Sequence, residues 1–261
     1  MCAINGKVYL VGAGPGDVEL LTRKAVRLIE CAQVIVFDRL VSNEVMTLVP
    51  VGAARIDVGK RPHHHPVPQQ EINRTLIGLA RAGRMVVRLK GGDPFLFGRG
   101  GEELEALRAA GVPVEVVPGI TSAQGCAASL QVPLTHRGVA SSVRYITGHC
   151  RSGDGLEHDW AGLADPDTTL VVYMGLQNIR RIAAELMRHG RSPDTPALAV
   201  SRATTEDERA ISGTLSRIAD DVLFNRLASP TLFVIGEVTS LARLPKVESN
   251  AVPTDCVAAA P

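Results

Sequence analysis

The stretch Val8-Tyr9-Leu10-Val11-Gly12-Ala13-Gly14-Pro15-Gly16-Asp17 carries a short apolar run straight into a glycine loop. A strand ending in such a loop, followed by the helical pattern of residues 21–29, opens a βαβ unit. The alternation continues outward. Residues 34–37 read as a strand, 43–48 as a short helix, 54–58 as a strand, and 69–81 as a helix that stops at Gly83, placed as a C-terminal cap. Residues 85–89 form the next strand, 102–110 a helix ended by Gly111, 114–117 a strand and 122–129 a helix. Strands alternating with helices predict a mainly parallel sheet with helices on its faces.

Beyond the 133–138 stretch the pattern loosens. Strands are read at 143–147 and 169–174, a helix at 178–189 ended by Gly190, and strands at 197–201, 209–212 and 231–235, with a polar Gly/Asp-rich loop over 150–159. With no helix between Ala197 and Gly213, the strands there are expected to pair antiparallel. The chain therefore divides near residue 137: an N-terminal mainly parallel α/β domain over 1–137, a C-terminal mixed α/β domain over 138–244, and a disordered tail over 245–261, where periodicity ceases.

The 261 residues suffice for two such domains, and a 45% apolar, 21% charged composition is that of an ordinary globular protein. A formal net charge of +1 supplies no global field for nucleic acid or an anionic membrane. Arginine far outnumbers lysine among the 28 basic residues, a bias that suits carboxylate partners and is also common in Ala- and Gly-rich chains. The five cysteines are scattered, odd in number and free of any C-x-x-C, which fits a reducing cytosol rather than a disulfide framework or a zinc site. No segment reaches ~18 uninterrupted apolar residues and no leader pattern precedes the first strand, so a cytoplasmic protein is expected. The run His63-His64-His65 is bracketed by Pro62 and Pro66 without acidic or Cys partners at ligand spacing, and reads as a polar loop. No metal is expected.

The first loop, with Asp38 ending the next strand about 20 residues later, has the look of a dinucleotide fingerprint. The detail fails: Asp17 stands where G-x-G-x-x-G needs glycine, and Pro15 removes a backbone N–H that a pyrophosphate would use. A carboxylate beside phosphates would also repel them. The loop thus favours a cofactor without phosphates, of which S-adenosylmethionine (SAM) is one, or else is only a tight strand-to-helix turn. A second run, Arg88-Leu89-Lys90-Gly91-Gly92-Asp93-Pro94-Phe95-Leu96-Phe97-Gly98-Arg99-Gly100-Gly101-Glu102-Glu103, leaves a strand and enters a helix with five glycines. So many glycines cost backbone entropy and are retained where chain passes close to something else. A third loop, Val117-Pro118-Gly119-Ile120-Thr121-Ser122-Ala123, again follows a strand. Three strand-end loops at the carboxyl edge of an open sheet make a cleft.

These three segments resemble the uroporphyrinogen-III C-methyltransferases, within the wider SAM-dependent tetrapyrrole methylase superfamily. So do Asp38-Arg39-Leu40-Val41-Ser42, Gly59-Lys60-Arg61, Pro133-Leu134-Thr135-His136-Arg137, Val172-Tyr173-Met174-Gly175 and Ser229-Pro230-Thr231. The resemblance is collinear over roughly residues 6–244. It implies two α/β domains with the active site in the cleft between them, a homodimer, SAM as methyl donor with S-adenosylhomocysteine as product, and methylation of uroporphyrinogen III at C2 and C7 to precorrin-2, feeding siroheme or cobalamin. Another precorrin or a non-tetrapyrrole substrate within the same superfamily is the alternative. Some members fuse this module to a dehydrogenase–chelatase domain; with the first strand near Lys7, oxidation and metal insertion are expected elsewhere.

By matching position, the resemblance assigns SAM contacts to Pro15, Gly91, Gly92, Asp93, Leu96, Thr121, Ser122 and Met174. A further contact falls on Ala203, where the family usually has glycine. Asp38 and Lys60 match the proposed proton acceptor and donor. Arg39, Arg61, Arg88 and Arg99 lie in or beside the loops, where they could pair with substrate acetates and propionates.

Overall fold

A computed structural model describes residues 6–59, 67–149 and 156–243 of the chain. In the first half, β1 (Lys7–Gly12), α1 (Arg23–Glu30), β2 (Val34–Phe37), α2 (Asn43–Thr47), β3 (Ala54–Asp57), α3 (Gln69–Arg81), β4 (Met85–Lys90), α4 (Gly100–Ala109), β5 (Val114–Val117) and α5 (Ser122–Ser129) alternate as expected. Their strands form one sheet in the order β3-β2-β4-β1-β5, all parallel. β1 and β4 are central and buried on both faces, which is why they read as continuous apolar runs rather than as alternation. Val8, Leu10, Val36 and Val86 pack with Leu76 and Leu107 on one face, while Val11, Ile35, Val87 and Leu89 pack with Ile29 on the other.

Local signals set the helix ends. The Thr22 hydroxyl accepts from the Ala25 amide at 3.1 Å and opens α1. Past α3, Gly83 adopts φ +77° and Arg84 N–H returns to the Leu79 carbonyl at 3.2 Å, the left-handed stop expected of a glycine there.

The second half contains β6 (Ser142–Thr147), α6 (Trp160–Leu163), β7 (Thr168–Tyr173), α7 (Ile179–Arg188), β8 (Pro196–Ser201), β9 (Arg209–Thr214), α8 (Ile218–Phe224) and β10 (Thr231–Ile235). The sheet order is β6-β7-β10-β8-β9, with β6 and β7 parallel and the other neighbours antiparallel. The antiparallel β8–β9 pair is the one expected from the missing helix. Periodicity did not reveal α6 and α8, which are only four and seven residues long. The 150–155 segment and the tail beyond 243 fall outside the described residues.

The helix α5 belongs by sequence to the first half, yet its Ala123 and Cys126 pack with Val171, Leu198, Val200, Leu232 and Val234 of the second sheet. The second sheet's other face closes on α7 and α8 through Leu170, Val172, Phe233, Leu186 and Ile218. Through α5 the chain leaving β5, the first sheet's last strand, is held against the second sheet.

Candidate active site

Since β5, β1 and β4 are neighbours, the loops that leave their carboxyl ends must lie side by side. Backbone contacts lock them. Ala13 N–H donates to the Lys90 carbonyl at 2.8 Å, and Gly14 and Gly92 exchange hydrogen bonds of 3.2 and 2.7 Å. The approach is so close that only hydrogen fits at the Cα positions. A methyl group on Gly119 would lie 2.2 Å from the Gly92 carbonyl oxygen, and one on Gly12 would lie 2.5 Å from the Gly119 nitrogen. Asp93 ties the loops from above: one carboxylate oxygen accepts from Phe95 N–H at 2.8 Å, the other from Gly119 N–H at 3.0 Å.

The second half closes against these loops. The Pro15 ring meets Gly125 of α5, where a methyl group would come within 2.6 Å of it, and the Thr204 methyl group borders the same spot. Asp17 N–H donates to the Thr204 hydroxyl at 3.2 Å, while the Asp17 carboxylate accepts from Glu19 N–H at 2.8 Å and caps the turn Val18–Leu20. The Ser42 hydroxyl donates to the Gly16 carbonyl at 2.7 Å. From the end of β7, the Tyr173 phenol lies 2.8 Å from the Thr121 hydroxyl and accepts from Ala123 N–H at 3.1 Å, and its ring sits 5.0 Å from that of Phe97. Burial raises the Tyr173 phenol's pKa, so the ring stays neutral and its hydroxyl serves as a hydrogen-bonding strut.

Several of these residues hold backbone conformations that side chains avoid: Phe97 (φ +55°), Arg99 (+58°), Met174 (+54°), Arg202 (+50°) and Thr204 (+65°). For β-branched Thr204 this is a costly state, sustained by the Glu208 carboxylate accepting from its N–H at 2.6 Å. Around the same loops four large apolar side chains remain in solvent: Leu40 at 50%, Phe95 at 57%, Phe97 at 37% and Met174 at 51% exposure. Exposed apolar groups gathered beside a polar backbone cradle mark a binding surface.

Behind the loop after β4 lies a buried charge network. Arg88, Lys90 and Glu103 are 3%, 3% and 0% exposed. One Glu103 oxygen accepts from Lys90 at 3.0 Å, from the Gln69 amide at 3.1 Å and from Arg88 Nε at 3.3 Å; the other has no partner among the described residues. Arg88 also donates to the Leu89 carbonyl at 2.7 Å and to Asp38 at 3.4 Å. Burial, followed by the charge of Arg88, pulls the Lys90 ammonium below its usual pKa, with Glu103 opposing.

The structure thus gathers Pro15, Gly91, Gly92, Asp93, Leu96, Thr121 and Ser122 on three touching loops. Met174, at the end of β7, and Ala203, beside Thr204, enter from the second half. Asp38 directly follows β2, with one oxygen accepting from Leu40 N–H at 3.1 Å. Arg39 is exposed beside it. Arg99 is exposed and held bidentately by Glu102 at 2.8 and 2.7 Å. Arg88, expected beside the loops within reach of substrate carboxylates, is instead buried, with its guanidinium bonded to Asp38, Glu103 and the Leu89 carbonyl. Lys60, Arg61 and the histidine run 63–65 lie outside the described residues. Sequence reasoning did not single out Tyr173, Glu103 or Thr204. The conjunction of Arg88, Lys90 and Glu103 in one apolar strand–loop–helix unit was the available signal for the charge network. No group of three or more His, Cys, Asp or Glu among the described residues is placed to hold a metal ion, and no helix there is long and apolar enough to cross a membrane.

Residues 7–219 match the family model for tetrapyrrole (corrin/porphyrin) methylases. The chain belongs to this family. Among its relatives, a uroporphyrinogen-III C-methyltransferase of Paracoccus denitrificans is 53% identical over 237 residues, which cover 91% of this chain and 83% of that one. A siroheme synthase of Edwardsiella ictaluri is 56% identical over 237 residues, or 91% of this chain and 50% of that protein. The methylase chain thus spans about half the length of the siroheme synthases it matches. Among solved structures, a uroporphyrin-III C-methyl transferase from Thermus thermophilus complexed with S-adenyl homocysteine superposes with a TM-score of 0.78 at 46% identity, covering 90% of this chain and all of that one. A cobalt precorrin-4 methyltransferase superposes with a TM-score of 0.79 at 28% identity, covering 89% and 95% of the two chains. The two-domain α/β architecture of the tetrapyrrole methylases is therefore the architecture of this chain.

Proposed function

We propose that this methylase transfers methyl groups from SAM to C2 and then C7 of uroporphyrinogen III, giving precorrin-2 and S-adenosylhomocysteine. The observation that carries the reading is the Gly14–Gly92 junction. It joins the first and second glycine loops into one backbone cradle beside Thr121 and Ser122, in a chain 46% identical to the Thermus enzyme crystallised with the homocysteine product.

The residues fit SAM. A methyl group on Gly92, which has φ +68°, would have only Thr121 Cα and Ser122 N near it, at 3.9 and 4.0 Å, so the backbone there faces room rather than packing. Neutral amides and Asp93 suit an amine and a ribose, Leu96 and Met174 offer apolar walls, and Asp17 with Pro15 disfavours phosphates. When bound, SAM supplies an activated methyl group on a sulfonium. The chain's own contribution is to align the acceptor ring with that methyl group, an effect worth up to ~7–11 kcal/mol in ideal cases. Leu40, Phe95, Phe97 and Met174 give the macrocycle an apolar seat. Arg39 and Arg99 take its carboxylates, together with Arg61. Asp38 accepts the proton that methylation releases, with Lys60 as donor; such help is typically worth ~10²–10⁴-fold.

The reading further takes residues 1–137 and 138–244 as the two domains, the working form as a homodimer in the cytoplasm, and the product as a precursor of siroheme or cobalamin. The test is incubation with SAM and enzymatically generated uroporphyrinogen III. Precorrin-2 and two equivalents of S-adenosylhomocysteine are expected; methyl transfer only to a later precorrin, or NAD binding as tight as SAM binding, would overturn it.

A further inference from the structure

We infer that Glu103 is a positioning residue for Asp38, acting through Arg88, and that the cluster of buried Glu103 and Lys90 with half-buried Gln69 exists to aim the carboxylate at the acceptor ring. This deepens the methylase reading above and rests on it for the identity of the ring.

The geometry is asymmetric in a way that packing alone does not explain. Glu103 is fully buried at the start of α4, and three donors converge on one of its oxygens while the other has no partner among the described residues. A buried carboxylate left half-satisfied is expensive, and a fold that needed only to fill this space would use an apolar side chain. What the arrangement secures is the plane of Arg88. That guanidinium is pinned at Nε by Glu103 and at Nη1 by the Leu89 carbonyl, which leaves Nη2 directed at Asp38 Oδ2. Leu40 N–H holds the other Asp38 oxygen at 3.1 Å. Asp38 is thereby fixed by one donor from its own loop and one from the buried side, and its remaining lone pairs are directed elsewhere.

Arg88 is also shared between two anions. Its contact to Asp38 is long, at 3.4 Å, while Glu103 and the Leu89 carbonyl hold its other two nitrogens, so Glu103 keeps it from closing fully on Asp38. Arg88 on β4 contacts Asp38 directly and Lys90 on the same strand interacts with it electrostatically; Glu103 on α4 reaches it through these two, Arg39 is its chain neighbour, and Asp57 at the end of β3 stands opposite Phe37 in the sheet register. Lys90 passes under the glycine loop, where a methyl group on Gly98 would lie 3.3 Å from its Cε, so the same cluster supports the cradle from below.

The experiment uses Glu103→Gln in the full chain, with the double variant Glu103→Gln/Lys90→Met, which removes one buried anion and one buried cation together, in case the single variant does not fold. Freed from Glu103, Arg88 closes on Asp38. kcat should fall about 10- to 100-fold, with KM for uroporphyrinogen III and S-adenosylhomocysteine affinity each within about twofold of wild type. Glu103→Asp should recover part of kcat. In parallel, carbon-13 carboxyl NMR, assigned with Asp38→Asn, follows the Asp38 signal at one fixed pH without any substrate. An Asp38 carboxyl signal that does not move in a folded variant overturns the inference, whatever the enzyme methylates. A moved signal in a protein that leaves uroporphyrinogen III unmethylated upholds the coupling and overturns the proposed substrate instead.

Discussion

The Tyr173 phenol and the Thr121 hydroxyl lie 2.8 Å apart, joining the end of a strand in the second sheet to the first turn of a helix that follows the first sheet. Both residues flank the backbone cradle proposed for SAM. Tyr173→Phe keeps the ring beside Phe97 and removes only the hydroxyl. Ala123 N–H retains Thr121 as an acceptor at 3.2 Å, so the expected loss of stability is about 1 kcal/mol. Thermal unfolding and calorimetry with S-adenosylhomocysteine should show a small fall in Tm and a weaker Kd. An unchanged Kd would make the bond a purely structural strut.

Gly119→Ala tests the convergence of the loops. The added methyl group would meet the Gly92 carbonyl at 2.2 Å and the Gly12 Cα at 2.8 Å, both backbone atoms that cannot swing aside. Overpacking of this kind costs roughly 3 kcal/mol. Gly101→Ala, where a methyl group meets nothing within 4 Å, should be nearly silent in the same denaturant titration.

Asp93 has two duties. Sequence alone assigns it to the ligand, but in the structure its carboxylate also accepts from Phe95 and Gly119 N–H groups. Asp93→Ala strands both donors and should lower stability by about 1–3 kcal/mol as well as weakening S-adenosylhomocysteine binding more than about tenfold. Loss of binding with an unchanged unfolding curve would show that the two loops do not depend on this carboxylate.

Asp38→Asn preserves shape and hydrogen-bonding reach but removes the base. Turnover should fall within roughly the 10²–10⁴-fold range of general-base effects, with S-adenosylhomocysteine affinity little changed. Single-turnover rates at wild-type values would remove Asp38 from the chemistry.

Far from the cradle, hydrogen bonds from Lys24 and Lys7 hold Glu115 at about 2, below the ordinary 4.5. Because the folded-state pKa is the depressed one, the stabilisation is present above about pH 4.5 and is lost as pH falls towards 2. The cluster is at the surface, so the effect is small and screened by salt. Glu115→Gln should melt slightly below wild type at neutral pH and low salt, and the difference should vanish near pH 2.

Local chemistry alone determined much of this protein. The continuous apolar runs of β1 and β4, the cap at Thr22 and the stop at Gly83 follow from periodicity and backbone preference. So does the parallel first sheet, because strands separated by helices cannot pair otherwise without long unpaired connections. The three glycine loops were equally legible, since glycine is retained where backbones crowd. Tertiary structure decided the rest. Arg88 reads from sequence as one of the arginines beside the loops that could reach substrate carboxylates; only the packing of α3 and α4 over β4 encloses it with Lys90 and Glu103. Tyr173 and Thr121 are 52 residues apart, and no local pattern announces their bond. α5 reads as the last helix of the first half, yet it buries Ala123 and Cys126 against the second sheet. Contacts of this kind depend on where whole elements dock, a choice made by complementary surfaces distant in the chain rather than by the residues on either side.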